Sequence, residues 1–273
     1  MGDPGSDLVI SALETVWGST AGACAGLGAA DWDLPTECPG WSVRDQLSHV
    51  IGIERTLMGE PAPLTSGPVP AHVRNPIGEM NEAWVGARRS LPGPDVLAEF
   101  ESVTAQRIEA LRAMTHAEFD VVGWSPAGQV PYREFMVLRV FDSWVHEQDV
   151  RRALGRPGGR GGVGEAMSLD RVAGAMGYVI GRKVSPPDGT TVVFEVTGPL
   201  PRTVAVEMRE GRGEEPADLP DIPSARITLD AESFWRLGCG RIAAEPTLNA
   251  GSVALVGDAA LGRRVLGAMD FLI

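Results

Sequence analysis

Only four histidines are present in this 273-residue chain, so each can be weighed as a metal ligand or a proton carrier. His72 sits in a proline-rich stretch and His116 follows Thr115, where solvated positions are expected. His49 and His146 fall inside helical patterns instead. Asp142 and His146 are four residues apart, which stacks their side chains on one helix face. A buried carboxylate is costly unless it is paired or bound to a cation. An inward-facing Asp–His pair can therefore present two metal ligands from one helix. A plain Asp–His hydrogen bond, or a salt bridge from Asp142 to Arg139, satisfies the same spacing. His49 is the candidate third ligand, from a second helix. A His, Asp, His set leaves one coordination position open, as catalytic zinc sites do. Glu54, in the apolar stripe of His49's helix, is expected to form an interior ion pair with an arginine. Cys24, Cys38 and Cys239 are odd in number and lack Cys-x-x-Cys spacing, which argues against a disulfide framework or a four-sulfur zinc site.

The elements that must position these residues come from periodicity. Residues 6–30 read as an Ala/Gly-rich helix and 31–40 as a turn. Ser42, with Asp45 three residues on, is a capping-box start for a helix whose stripe is Val43, Leu47, Val50, Ile51 and Met58. Residues 59–76 hold five prolines and read as a long loop. Helical pattern covers 78–90, breaks at Leu91-Pro-Gly-Pro, and continues to 114; 120–131 reads as loop. The helix over 132–154 carries a stripe of Phe135, Leu138, Asp142, Val145 and Asp149 and stops at Gly155 with Pro157 beyond. These helices predict an antiparallel bundle over 1–155. Residues 155–164 contain six glycines and read as a linker. Beyond it, over 165–273, a helix at 168–183 precedes alternating strands around Val192–Val196 and Val204–Met208, with Gly198-Pro-Leu-Pro between them as a hairpin. A strand at 226–229 meets Asp230 as a helix cap, and one at 252–256 meets Asp258 as another. That is an α+β domain with a mainly antiparallel sheet.

Composition narrows the function classes. A net charge of -12 argues against nucleic-acid binding, which needs clustered cations. Hydrophobic residues at 44% and charged residues at 22% are ordinary for a globular protein. No stretch approaches the roughly eighteen uncharged apolar residues of a membrane helix. The start, Met-Gly-Asp-Pro-Gly-Ser-Asp, lacks a signal peptide's basic and apolar regions, so the cytoplasm is the expected location.

Two segments carry a resemblance. Glu37-Cys-Pro-Gly-Trp-Ser-Val-Arg-Asp-Gln-Leu-Ser-His49 and Asp142-Ser-Trp-Val-His146-Glu-Gln-Asp149-Val-Arg-Arg-Ala-Leu-Gly155 resemble the mycothiol-dependent maleylpyruvate isomerase family. That family belongs to the DinB-like group of metal-binding four-helix bundles. Residues 224–270, with Asp230-Ala-Glu-Ser-Phe-Trp-Arg-Leu-Gly-Cys-Gly-Arg241 and Gly257-Asp258, resemble the sterol-carrier-like domain common in these proteins. The resemblance implies metal ligation by His49, Asp142 and His146, with aspartate where the best-known members have glutamate. It implies a role for Arg241 in binding an anionic substrate. Asp149 would orient a ligand or contact the thiol cofactor. Zinc suits two imidazoles and one carboxylate, although nickel or iron would also bind. The implied cosubstrate is mycothiol, a low-molecular-weight thiol, and the implied partner is a small-molecule electrophile, acted on by isomerisation or by S-transfer. The protein is expected to be a monomer or homodimer, without nucleic-acid or membrane partners. Two other readings fit the same residues: a metal-dependent hydrolase, and a non-catalytic ligand carrier or regulator with a structural metal.

Overall fold

The computed structural model describes residues 5–64 and 68–272. Residues 1–4, part of the start read above for a signal peptide, and residues 65–67 of the proline-rich stretch lie outside the described residues. The chain divides into two compact units, Met1–Met167 and Ser168–Ile273.

Four long helices build the first unit: α1 (Ser6–Cys24), α2 (Val43–Leu57), α4 (Gly93–Ala113) and α6 (Tyr132–Ala153), with α3 (Pro76–Gly86) against α2. α1 and α2 each pack on both α4 and α6, which closes a four-helix bundle. Its core draws Leu13 and Trp17 from α1, Leu47 and Ile51 from α2, Phe100 and Leu111 from α4, and Met136 and Val140 from α6. The start of α2 is the capping box expected from sequence, with Ser42 and Asp45 each bonding the other's backbone N–H. That cap fixes the register that carries His49.

Three local expectations are corrected. α1 stops at Cys24, well before residue 30, because Ala25 is extended and Gly26 takes φ +68°. Residues 120–131 are not a plain loop: β1 (Val122–Ser125) and β2 (Gly128–Pro131) form an antiparallel hairpin, after the one-turn helix α5 (His116–Phe119). Strands this short, one of them carrying Gly128 and Pro131, give little alternation to read. Residues 155–164 do not behave as a linker. They fold back on α6, where Trp144 Nε1 donates to Gly159 O at 2.8 Å and Gln148 Nε2 to Gly158 O at 3.3 Å.

α6 also differs from the stripe read in its sequence. Phe135, Leu138 and Asp142 are only half-buried, whereas Met136, Val137, Arg139, Val140, Phe141 and the run from Ser143 to Val150 are buried. A helix buried almost all round has no single inward stripe to detect.

The second unit contains α7 (Val163–Tyr178, which begins in the first unit), a wider π-type segment Val179–Val184, and a five-stranded sheet in the order β5-β4-β3-β6-β7. The strands are β3 (Thr191–Thr197), β4 (Arg202–Arg209), β5 (Arg212–Glu214), β6 (Ala225–Asp230) and β7 (Val253–Gly257). Every neighbouring pair is antiparallel except β3–β6. β5 is absent from the sequence reading. It is three residues long, and Gly213 lets its backbone meet the helical segment so closely that a Cβ on Gly181 would lie 2.5 Å from Gly213 N. Asp230 caps α8 (Ala231–Gly238) and Asp258 caps α10 (Ala259–Gly267), as expected, with α9 (Ala244–Asn249) between. The arrangement is thus a helical bundle followed by an α+β domain with a mainly antiparallel sheet. Among the described residues, no helix is long and apolar enough to cross a membrane.

Candidate metal centre

α2 and α6 are neighbours in the bundle, and their contact brings three side chains to one point. His49 Nε2 lies 3.4 and 3.2 Å from the two carboxylate oxygens of Asp142. His146 Nε2 is 3.6 Å from Asp142 Oδ1. One donor atom from each residue falls within 4.8 Å of the other two. The imidazoles meet edge to face with ring centroids 4.6 Å apart. Trp41 covers both, its centroid 5.0 Å from His49 and 5.8 Å from His146. Both imidazoles are buried, whereas the Asp142 side chain is 31% exposed, so the cluster opens to solvent on the carboxylate side.

Surrounding groups hold the His146 ring and the Asp142 carboxylate, whereas Nδ1 of His49 is buried without a hydrogen-bond partner. His146 Nδ1 donates to Gln46 Oε1, which leaves Nε2 as the nitrogen that faces Asp142. Asp149, fully buried, places Oδ2 3.5 Å from the same Nδ1. Asp142 Oδ2 accepts from Arg139 Nη1 at 2.6 Å, leaving Oδ1 turned to His146. Glu54 lies between two arginines: Arg139 Nε donates to Oε1 at 2.8 Å and Arg107 Nε to Oε2 at 3.0 Å. The interior ion pair expected of Glu54 is therefore double. Trp41 is steadied by donating Nε1–H to Glu82 at 3.0 Å, and Glu82 also bonds His72 at 3.1 Å and Arg89 at 2.6 Å.

The ionisation states follow from these neighbours. Burial alone would push the Asp142 carboxyl up, but Arg139, then His49 and His146, hold it well below the usual carboxylate range. At His49 burial prevails over the attraction of Asp142 and lowers the imidazole. At His146 burial also opposes the charged form, yet Asp142 and Asp149 together raise it.

The donor set suits a divalent cation. Ligands about 2.0–2.1 Å from zinc in a tetrahedron are roughly 3.3 Å from one another. From Oδ1, the Asp142 oxygen not bonded to Arg139, His49 Nε2 lies 3.4 Å and His146 Nε2 3.6 Å away, near that edge. Three protein ligands would leave a fourth position for an exogenous group. Asp142 keeps one carboxylate oxygen uncommitted to Arg139, and the Gln46 contact at Nδ1 leaves Nε2 of His146 facing the cluster.

Arg241 belongs to the second unit, just past α8, where its Nη1 donates to Cys239 O at 3.1 Å. His116 is exposed and pairs with Ser6 Oγ at 3.1 Å. His72, expected to be solvated, is half-buried against Glu82 instead. Sequence reasoning missed Gln46 and Trp41. Gln46 stands three residues before His49, on the same helix face, and that spacing was the available signal.

Residues 13–151 match the family model for the mycothiol maleylpyruvate isomerase N-terminal domain, and 166–264 match the MDMPI C-terminal domain. Among solved structures, the chain is similar to a mycothiol-dependent maleylpyruvate isomerase, with TM-score 0.61, 14% identity and 93% of each chain covered. A histidine-to-alanine mutant of the mycothiol-dependent maleylpyruvate isomerase gives TM-score 0.57 at 13% identity, again with 93% of each chain covered. No curated protein matches the sequence.

Proposed function

Because the chain belongs to the mycothiol maleylpyruvate isomerase family, we propose that His49, Asp142 and His146 hold a divalent cation, zinc in the first instance, that activates mycothiol for addition to an electrophilic small molecule. The observation that carries this reading is the convergence of two imidazole nitrogens and one carboxylate at near-ligand spacing, open on one side. A cation bound there favours the thiolate, the reactive form of a thiol.

The chain's own groups supply orientation. Gln46 holds the His146 ring, Arg139 holds the Asp142 carboxylate, and Trp41 seals the imidazole side, so the thiol enters past Asp142. Asp149 steadies His146 from the far side of the ring. In isomerisation the sulfur adds to one alkene carbon and the double-bond electrons pass to the conjugated carbonyl. The new single bond rotates; the electrons then return, re-form the double bond as trans and expel the thiolate. The thiol is regenerated. On family position alone, Arg241 is assigned to an anionic group of the substrate.

The test is conversion of maleylpyruvate by the purified full chain with zinc, with and without mycothiol. Formation of the trans isomer only when both are present, with the thiol recovered, is expected. A stable thioether with thiol consumed would assign S-transfer, and turnover without thiol would overturn the reading in favour of a hydrolase.

Proton competition gives a second expectation. His146 has its affinity for a proton raised, so a cation must displace that proton, and metal affinity should fall with decreasing pH from a point above the ordinary histidine value of 6.5. His49, shifted down, is already neutral there and adds nothing to the dependence. Zinc titrations in buffers of different ionisation enthalpy should show proton release near neutral pH. A pH-independent affinity between 6 and 8 would contradict ligation by His146 (about one proton per site is at stake).

A further inference from the structure

Asp142 is the only anion among the three converging groups, and its charge is already partly engaged. Its Oδ2 accepts from Arg139 at 2.6 Å, and Arg139 is itself buried, with Nε and Nη2 each 2.8 Å from Glu54 Oε1. Glu54 cannot neutralise Arg139 by itself, because its other oxygen is bonded to buried Arg107. Asp149, the other carboxylate that meets these imidazoles, lies against Nδ1 of His146, the nitrogen turned away from Asp142. A cation at the cluster would thus have two neutral ligands and one carboxylate offset by a guanidinium.

Resting on the metal reading above, we infer that Arg139 makes the open coordination position selective for an anion, such as a thiolate, over a neutral ligand such as water or an undissociated thiol. A ligand reaching the centre must pass the exposed side of Asp142, within the field of its Arg139 partner. A unit charge about 6 Å away, in a medium of effective dielectric about 20, changes an anion's affinity by at least about tenfold and leaves a neutral ligand nearly unaffected.

The experiment compares two probes on the full chain loaded with cobalt(II): azide as the anion and imidazole, at a pH where it is neutral, as the uncharged ligand. Binding of each is followed by the cobalt absorption spectrum. Arg139→Gln is expected to weaken azide by about tenfold or more while imidazole stays within about twofold. Arg139→Lys, which keeps the charge but loses the two-pronged geometry, should restore the preference for azide. Equal losses for both probes would overturn the inference and reduce Arg139 to a positioning residue, with the metal reading intact. So would no change for either probe. Failure of the unmodified chain to take up cobalt would overturn the metal reading and this inference with it. If Arg139→Gln does not fold because Glu54 is left under-paired, Glu54→Gln is measured instead: removing the carboxylate that offsets Arg139 should strengthen azide while imidazole stays within about twofold, and an unchanged or weakened azide affinity would overturn the inference.

Discussion

Replacing His49 with alanine is expected to empty the metal centre while leaving the bundle folded. In the proposed site His49 is the one ligand from α2, so its loss would leave two on α6, one of them shared with Arg139. Loss of a partner outside the coordination sphere costs roughly 10–100-fold in metal affinity, and loss of a ligand should exceed that. The side chain packs against Trp41 and His146 and is not one of the apolar residues of the core, so helicity should persist. Elemental analysis after dialysis should give near one zinc per unmodified chain and near none for His49→Ala, with unchanged circular dichroism. Equal metal content in the two proteins would remove His49 from the site. Loss of metal together with loss of helicity would point to a structural cation.

Glu54→Leu is expected to have the largest effect on stability. Glu54 has no solvent exposure, and its two oxygens serve Arg139 and Arg107, which are also buried. Leucine would leave both guanidiniums without their shared carboxylate in a low-dielectric interior. Breaking one buried pair costs about 3–5 kcal/mol, and here two partners are stranded at once. Arg139 would retain Asp142, which moderates the loss. Urea unfolding in the presence of a chelator, so that metal linkage does not enter, should show a decrease of about that size. A decrease below about 1 kcal/mol would mean that the three charges do not act as a unit.

Signals that depend on neighbours in sequence are legible before any coordinates. Ser42 with Asp45, Asp230 and Asp258 are caps whose partners lie within three residues. The β3–β4 hairpin is legible for the same reason, since alternation and the Gly198-Pro-Leu-Pro turn are both local. Bringing His49 to Asp142 requires the pairing of α2 with α6, across 93 residues, which spacing alone does not specify. The shared motifs supplied that expectation. The choice between metal ligation and a salt bridge to Arg139 also had no answer in the sequence, because the geometry has the salt bridge and room for a ligand as well: one oxygen of Asp142 goes to Arg139 while the other faces His146. Arg107 was invisible as a partner of Glu54, since nothing in the pattern of α4 marks a buried arginine as paired. The parallel β3–β6 pairing was likewise beyond local signals, because both strands look the same in either orientation.

The folded-back glycine segment has a practical bearing on how the protein is dissected. A chain cut at Gly155 would keep all four bundle helices but remove the carbonyls of Gly158 and Gly159 that receive the Gln148 amide and the Trp144 indole. It would also strip the backbone away from buried Glu147, whose carboxylate sits where a side chain on Gly159 would otherwise go. A fragment carrying the three converging residues is better ended beyond the glycines that resemble a boundary, since the compact unit continues to Met167, within α7.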